Sequence, residues 1–390
     1  MKRFVAIESL RGWMAWWVVA AHALDVSGAD TILPKVVAKI LGQAGLPVQI
    51  FMIVSGFVIA HLLIGRREPF GEYLQKRWFR VFPLFAFMLV FAIVLSYGFD
   101  LYRAAWINNP YAGDVSGRVS KMESEHNSWL THLLLHLSLM HGVVADSVLP
   151  YASTTFLSPA WSLSLEWQFY VVAPLMVVSL QRIRAAWFCL LLLVGSAGAF
   201  AGWFGEWWDV PAYLLLGISL FFAGITSRLW LDGKTPWLGI VSTGVALLIF
   251  CVSEGLKPSL YLVAAGAIWC LFLVATAKEV GVVKFSSRSF DMLFRLIAYN
   301  STVIALGRVS YSTYLSHVPV MSLVIGIGVI AADNHSHSWI VSLTMLAVVL
   351  TVPASFLLYH WVEKPGVQLG KRLFPGSTAG KRSLSSTLRV

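Results

Sequence analysis

Arg11 and His22 stand eleven residues apart in the first hydrophobic stretch of the chain. A helix turns about 100° and rises about 1.5 Å per residue, so eleven residues make three turns and roughly 16 Å, leaving the two side chains about 20° apart on one face. One stripe would then carry a fixed cation near one end and, deep in the span, an imidazole able to exchange a proton near neutral pH. Glu8 and Asp25 share the same stretch. An ionisable group inside a membrane span is costly and is a functional candidate by default. The structural alternative has Arg11 snorkelling to lipid phosphate and His22 packing between helices. Asp25, three residues beyond His22, either orients the ring or closes the helix. The residues alone leave both readings open.

Other polar groups sit in apolar runs. Glu166, within SLSLEWQF, must face a cavity or a cation. Tyr311, Tyr314 and His317 belong to SYSTYLSH, where Tyr314 and His317 are three apart on one helix face and either line a site or pack. Glu363, just before Pro365, reads as structural. His132 and His136 have a spacing that could share zinc, with His126, His141, Glu123, Glu125 and Asp146 nearby. Interfacial histidines are ordinary, and no metal is expected.

The elements that must hold these groups are membrane spans. Of 390 residues, 58% are hydrophobic and 12% charged, with a mean hydropathy of +0.74. A soluble domain carries about 25% charged residues, so a water-soluble enzyme and a disordered chain are both excluded. Three cysteines, Cys189, Cys251 and Cys270, lie in apolar runs and offer neither a disulfide framework nor zinc spacing. Runs near the ~20 residues that cross a bilayer lie at 9–27, 46–65, 80–98, 161–181, 185–204, 210–226, 237–253, 259–277, 310–331 and 338–360. The expected fold is therefore all-α: a polytopic integral membrane protein of about ten transmembrane helices. The apolar stretch 128–145 carries His132, His136 and His141 and is expected to form one interfacial or re-entrant helix in the 99–159 loop.

Charge orients the chain. With both termini inside, twenty-two of the 29 Lys and Arg residues fall on inner segments, among them Lys2, Arg3, Arg66, Arg67, Lys381, Arg382 and Arg389. Six fall on outer loops, including Lys257, and Arg11 lies within a span. By the positive-inside rule both termini are cytoplasmic and 99–159 is external. The net charge of +10 follows from this bias and suggests no nucleic-acid partner. Glu8 and Arg11 interrupt what could otherwise pass for a cleavable leader. Trp106, Trp129, Trp161, Trp207 and Trp208 gather towards the external boundary, as interfacial belts do, although aromatics there also stack on sugars.

Six words occur in order: IESLRGWMAWWVVAAH at 7–22, IFMIVSGFVIA at 50–60, KRWFRVFPLF at 76–85, WSLSLEWQFYVVAPL at 161–175, LGRVSYSTYLSHVP at 306–319 and WVEKPG at 361–366. Together they resemble the acyltransferase-3 family of bacterial integral-membrane O-acyltransferases, over roughly 4–366, and most closely the members that acetylate exopolysaccharide or lipopolysaccharide sugars. The family usually has Asp at the position of Glu8. The tail is too short for an appended hydrolase-like domain, so transfer would finish within the membrane unit, 1–365, ahead of a short basic tail, 366–390.

The resemblance implies roles. Arg77 and Arg80 form the family's Arg-x-x-Arg pair, expected at the cytoplasmic entrance of the third span, where arginine forks suit coenzyme A phosphates. Arg11 would hold the nucleotide or the pantetheine arm. His22 would be the base that activates a sugar hydroxyl against the thioester, or would carry an acyl-histidine intermediate. Glu166, Tyr311, Tyr314 and His317 would line the acceptor site. The expected activity is transfer of acetyl from cytoplasmic acetyl-CoA to a hydroxyl of a surface-polysaccharide sugar, free or lipid-linked, in the bacterial inner membrane. Its rivals are another acyl donor or a small-molecule acceptor, and a transporter or flippase using Arg11 and His22 as a polar path.

Overall fold

The computed structural model describes residues 4–65, 68–203, 208, 210–234, 237–254, 256–284 and 287–375. Lys2, Arg3, Arg66, Arg67, Lys381, Arg382 and Arg389 from the charge count lie outside these residues, as do Trp207, the side chain of Lys257 and the tail beyond 375. Among the described residues the chain is helical, without strands.

Each expected span coincides with a helix. In chain order these begin with α1 (Val5–Ser27), the short α2 (Lys35–Leu41), α3 (Gly45–Gly65) and α4 (Phe70–Ile93). The 99–159 segment contributes α5 (Val115–Asn127) and α6 (Trp129–Leu137). Then come α7 (Trp161–Gln181), α8 (Ala186–Phe200), α9 (Leu214–Leu231), α10 (Trp237–Glu254) and α11 (Leu256–Glu279). Two short helices, α12 (Arg288–Ile297) and α13 (Ser301–Arg308), precede α14 (Ser310–Ala332), α15 (His337–Leu358) and α16 (Lys364–Leu373). Eight helical stretches among the described residues are long and apolar enough to cross a membrane. The two expected spans outside that set have plain reasons. Glu8, Arg11, His22 and Asp25 make α1 polar, and the apolar part of α10, Trp237–Val252, is shorter.

Polar contacts explain how α1 sits in the bundle. Its first backbone amides point at the Glu279 carboxylate, with Val5 N 3.1 Å from both oxygens, an anion at a helix amino terminus. Ser9 donates to the Ala298 carbonyl at 2.7 Å, and Glu8 pairs with Arg308 at 3.8 Å. Close approach to α13 requires glycine: a Cβ on Gly12 would come within 2.7 Å of the Val303 carbonyl oxygen, the small-residue contact that lets helix backbones touch.

One expected boundary needs correction. The third span begins at Phe70 rather than near 80, because Pro69 starts the helix. Arg77 and Arg80 therefore lie about two turns and more along α4 from its first residue. The stretch 128–145, expected as one interfacial or re-entrant helix, forms the nine-residue α6, too short to span, followed by turns. Leu130 and Leu134 face outward from α6, while His132 and His136 are buried.

The 99–159 segment is anchored to the end of α1: Gly113 N donates to the Asp25 carbonyl at 3.0 Å and Asn109 Nδ2 to that of Val26 at 2.7 Å. At the other end of the bundle, α15 passes through a π-helical turn, Tyr359–Glu363, into α16, whose Gly370 packs on Phe79 of α4. The boundary expected at 365 thus falls inside a helix that returns to the bundle.

Candidate active site: two cavities along one helix

Two cavities lie along α1, the first against α3, α4, α7 and α14 and the second against α14 and the 99–159 segment. The first, about 130 Å³, is lined by Arg11, Arg77, Arg80, Glu166, Tyr170, Ser55, Tyr311 and Tyr314, among others. The second, about 180 Å³, is lined by His22, Asp25, Tyr102, Trp106, Arg118, Lys121, Tyr151 and Ser158, with others from the 99–159 segment. Arg11 lies in the first half of α1 and His22 towards its end, so one helix contributes to both.

In the arginine cavity the three cations differ in their engagement. Arg80 pairs with Glu363 and lies over the Tyr311 ring, 5.2 Å from its centre. The π-helical turn presents Glu363, 3% exposed, to that arginine and to Ser312, which donates to it at 2.7 Å. Glu363, read from sequence as structural, thus takes up a cation expected to meet phosphate. Arg77 is the contrast: its Nε is buried without a hydrogen-bond partner. Glu166 accepts from Ser55 at 2.8 Å and from Tyr170 at 2.5 Å, so hydroxyls hold the carboxylate at the cavity wall.

The partition between the cavities is made of side chains. Tyr314 donates to the Pro159 carbonyl at 3.0 Å and shares a 2.9 Å hydrogen bond with Ser162. His317 lies 6.1 Å from Tyr314 and 5.1 Å from His22, ring centre to ring centre. It is fully buried, and neither ring nitrogen has a hydrogen-bond partner. Tyr311 turns away, donating to the Val81 carbonyl at 2.7 Å.

Asp25 does not serve the His22 ring as one reading had it. It is taken by Arg118 at 2.5 Å, and Arg118 in turn lies 4.9 Å from the centre of the Trp106 ring. Trp106 is not an interfacial belt residue. It is 2% exposed, and its indole donates to Ser322 at 2.9 Å. Lys121, Arg118 and Tyr151 were not singled out from sequence. The available signal was a pair of cations three apart in a short helix of the one long loop.

The histidines of that loop form a separate buried cluster. His136 and His141 stack with ring centres 4.1 Å apart, and His132 is held between Ser124 and Thr155 at 3.1 and 3.2 Å. Burial pushes His141 down to about 4 and holds His136 well below the usual imidazole value. Among the described residues no three His, Cys, Asp or Glu side chains converge as metal ligands.

The chain matches the family described as acyltransferase domain over residues 4–360, which covers all eight residues singled out for the site. The chain belongs to the acyltransferase-3 family. Its relatives include one named "Acyltransferase MdmB" from Streptomyces mycarofaciens, 24% identical over 97% of this chain and 95% of that one. Another is named "Putative peptidoglycan O-acetyltransferase YrhL" from Bacillus subtilis, 25% identical over 84% of this chain and 51% of that protein. The chain thus spans about half the length of the latter. No solved structure matches significantly. As an acyltransferase-3 protein it is a multi-pass membrane enzyme that moves acyl groups.

Proposed function

We propose that this acyltransferase moves acetyl from cytoplasmic acetyl-CoA to a hydroxyl of a surface-polysaccharide sugar, and that His22 is the base. The observation that carries this reading is that one buried histidine, His317, lies between Tyr314 of the arginine cavity and His22 of the histidine cavity, 6.1 and 5.1 Å from their rings. In this reading the arginine cavity opens to the cytoplasm, where Arg77 and Arg11 attract the phosphates and guide the pantetheine arm inward. The histidine cavity opens externally and receives the sugar. The acceptor oxygen attacks the thioester carbonyl while its proton passes to His22. The new C–O bond forms, the C–S bond breaks, and the thiolate leaves with the proton as free coenzyme A. The printed name of the Bacillus relative, a putative peptidoglycan O-acetyltransferase, favours a glycan hydroxyl as acceptor.

The test is release of coenzyme A thiol, together with formation of acetylated glycan, by purified protein. His22→Ala should lose about 10²–10⁴-fold in rate and still bind acetyl-CoA, because Arg11 is about three turns away along α1 and the arginines line the other cavity. Near-wild-type turnover in that variant removes His22 from the mechanism. A wild-type protein that carries solute and releases no thiol with any glycan acceptor is a transporter.

A further inference from the structure

The histidine cavity holds a cation without a counter-ion. Lys121, on α5, is 7% exposed, and its ammonium donates to Tyr102 at 3.0 Å and Ser158 at 2.7 Å while lying 4.9 Å from the centre of the Tyr102 ring. Among the described residues no carboxylate lies within ion-pair distance of it. The other charges lining this cavity are engaged. Arg118 holds Asp25, and Asp114 caps α5 by accepting from Gly117 N at 3.2 Å. A buried ammonium without an anion is strongly unfavourable, and this one has three protons for two hydroxyl partners. Tyr102 and Tyr151, both half-buried, add aromatic surface of the kind that packs on a sugar ring. Tyr151 is held there at a φ of 58°, a strained conformation for a bulky side chain.

Resting on the acyl-transfer reading above, we infer that the acceptor is an anionic saccharide. Its carboxylate or phosphate is received by Lys121 and its ring by the aromatic wall, which brings a hydroxyl to His22. A neutral sugar would leave the ammonium as it stands, whereas an anion supplies the missing partner. The cavity is therefore selective for charge before it is selective for sugar stereochemistry.

The experiment uses the full chain in detergent and three probes: methyl glucuronide, glucose 1-phosphate and methyl glucoside, each titrated by saturation-transfer NMR. A charge-assisted hydrogen bond is worth a tenfold or greater preference, so at least one anion should bind about tenfold tighter than the glucoside. The tighter of the two anions identifies carboxylate or phosphate. Lys121→Gln keeps a donor for Tyr102 and Ser158, removes the charge, and should erase the preference. Lys121→Arg should keep it, and it stands as the test if the glutamine variant does not fold. Equal binding of all three probes, no binding of either anion, or a preference that survives in Lys121→Gln overturns the assignment. Acetyl-CoA binding is read in parallel. Donor binding without an anion preference sinks this inference alone, and an anion preference without any acetyl transfer sinks the reading beneath it.

Discussion

Arg77 and Arg80 carry the same charge one turn apart on α4, and their surroundings give them different work. Arg80 is bound to Glu363, so Arg80→Gln would leave a buried carboxylate without its cation. Breaking such a pair costs about 3–5 kcal/mol, and the expected outcome is a lowered melting temperature. Arg77, with a buried and unpartnered Nε, faces the cavity. Arg77→Gln should leave the melt nearly unchanged and weaken acetyl-CoA binding about tenfold or more, read by calorimetry. Equal effects of the two substitutions would contradict this division. At this scale the sequence was informative where the relation lies within one helix. The Arg11–His22 stripe follows from rise and twist, and the two residues do reach the two cavities. Pairings across the fold were not legible. Glu363 meets Arg80 across 283 positions, and Arg118 takes Asp25 across 93, so no local pattern announces either.

Among the elements, α6 is the one whose behaviour should depend on pH. His136 and His141 are stacked and buried, each with a ring nitrogen lacking a partner, and both are held neutral by burial. Unfolded, each would take up a proton near 6.5. Between that value and about 4, where His141 titrates in the fold, the unfolded state binds more protons. Stability of this segment therefore falls as the pH falls, by at most about 1.4 kcal/mol per pH unit for each imidazole. Hydrogen exchange, corrected for intrinsic rates, should show residues 129–157 less protected at pH 5 than at pH 7.5. Protection that is flat or rises on acidification would contradict it. Periodicity showed an apolar stretch with polar interruptions here. It could not show that the histidine face of α6 turns inward, because that depends on the turns after Leu137, where Leu139, Tyr151 and Phe156 adopt positive φ.

For the whole molecule, hydropathy read the number and order of the long helices, since each must bury its backbone polar groups within itself to cross a bilayer. It placed α4 late, because the polar face of its first turns, with Lys76, Arg77 and Arg80, masks a helix already begun. The charge bias still predicts that the 99–159 segment and the end of α16 lie on opposite sides of the membrane. Single cysteines at Ser116 and Lys371, both exposed, would test this in a background lacking Cys189, Cys251 and Cys270. An impermeant reagent applied to intact cells should label Ser116→Cys and spare Lys371→Cys. Labelling of both would reverse the placement of the arginine cavity and with it the route proposed for the donor.

The wide turn at Tyr359–Glu363 is a place where chain length can change without turning the carboxyl-terminal helix. A π-helical turn holds an extra residue within an otherwise α-helical run. Deleting one residue there would restore ordinary winding and leave later positions facing as before, whereas a deletion within α15 would swing every later position by about 100°. Gly370 would stay on Phe79 in the first case and rotate off it in the second. Outward-facing Trp361 should therefore accept many replacements, and its removal should be borne better than that of a residue in α15. Natural variation in length is thus expected within the turn rather than in the helix before it.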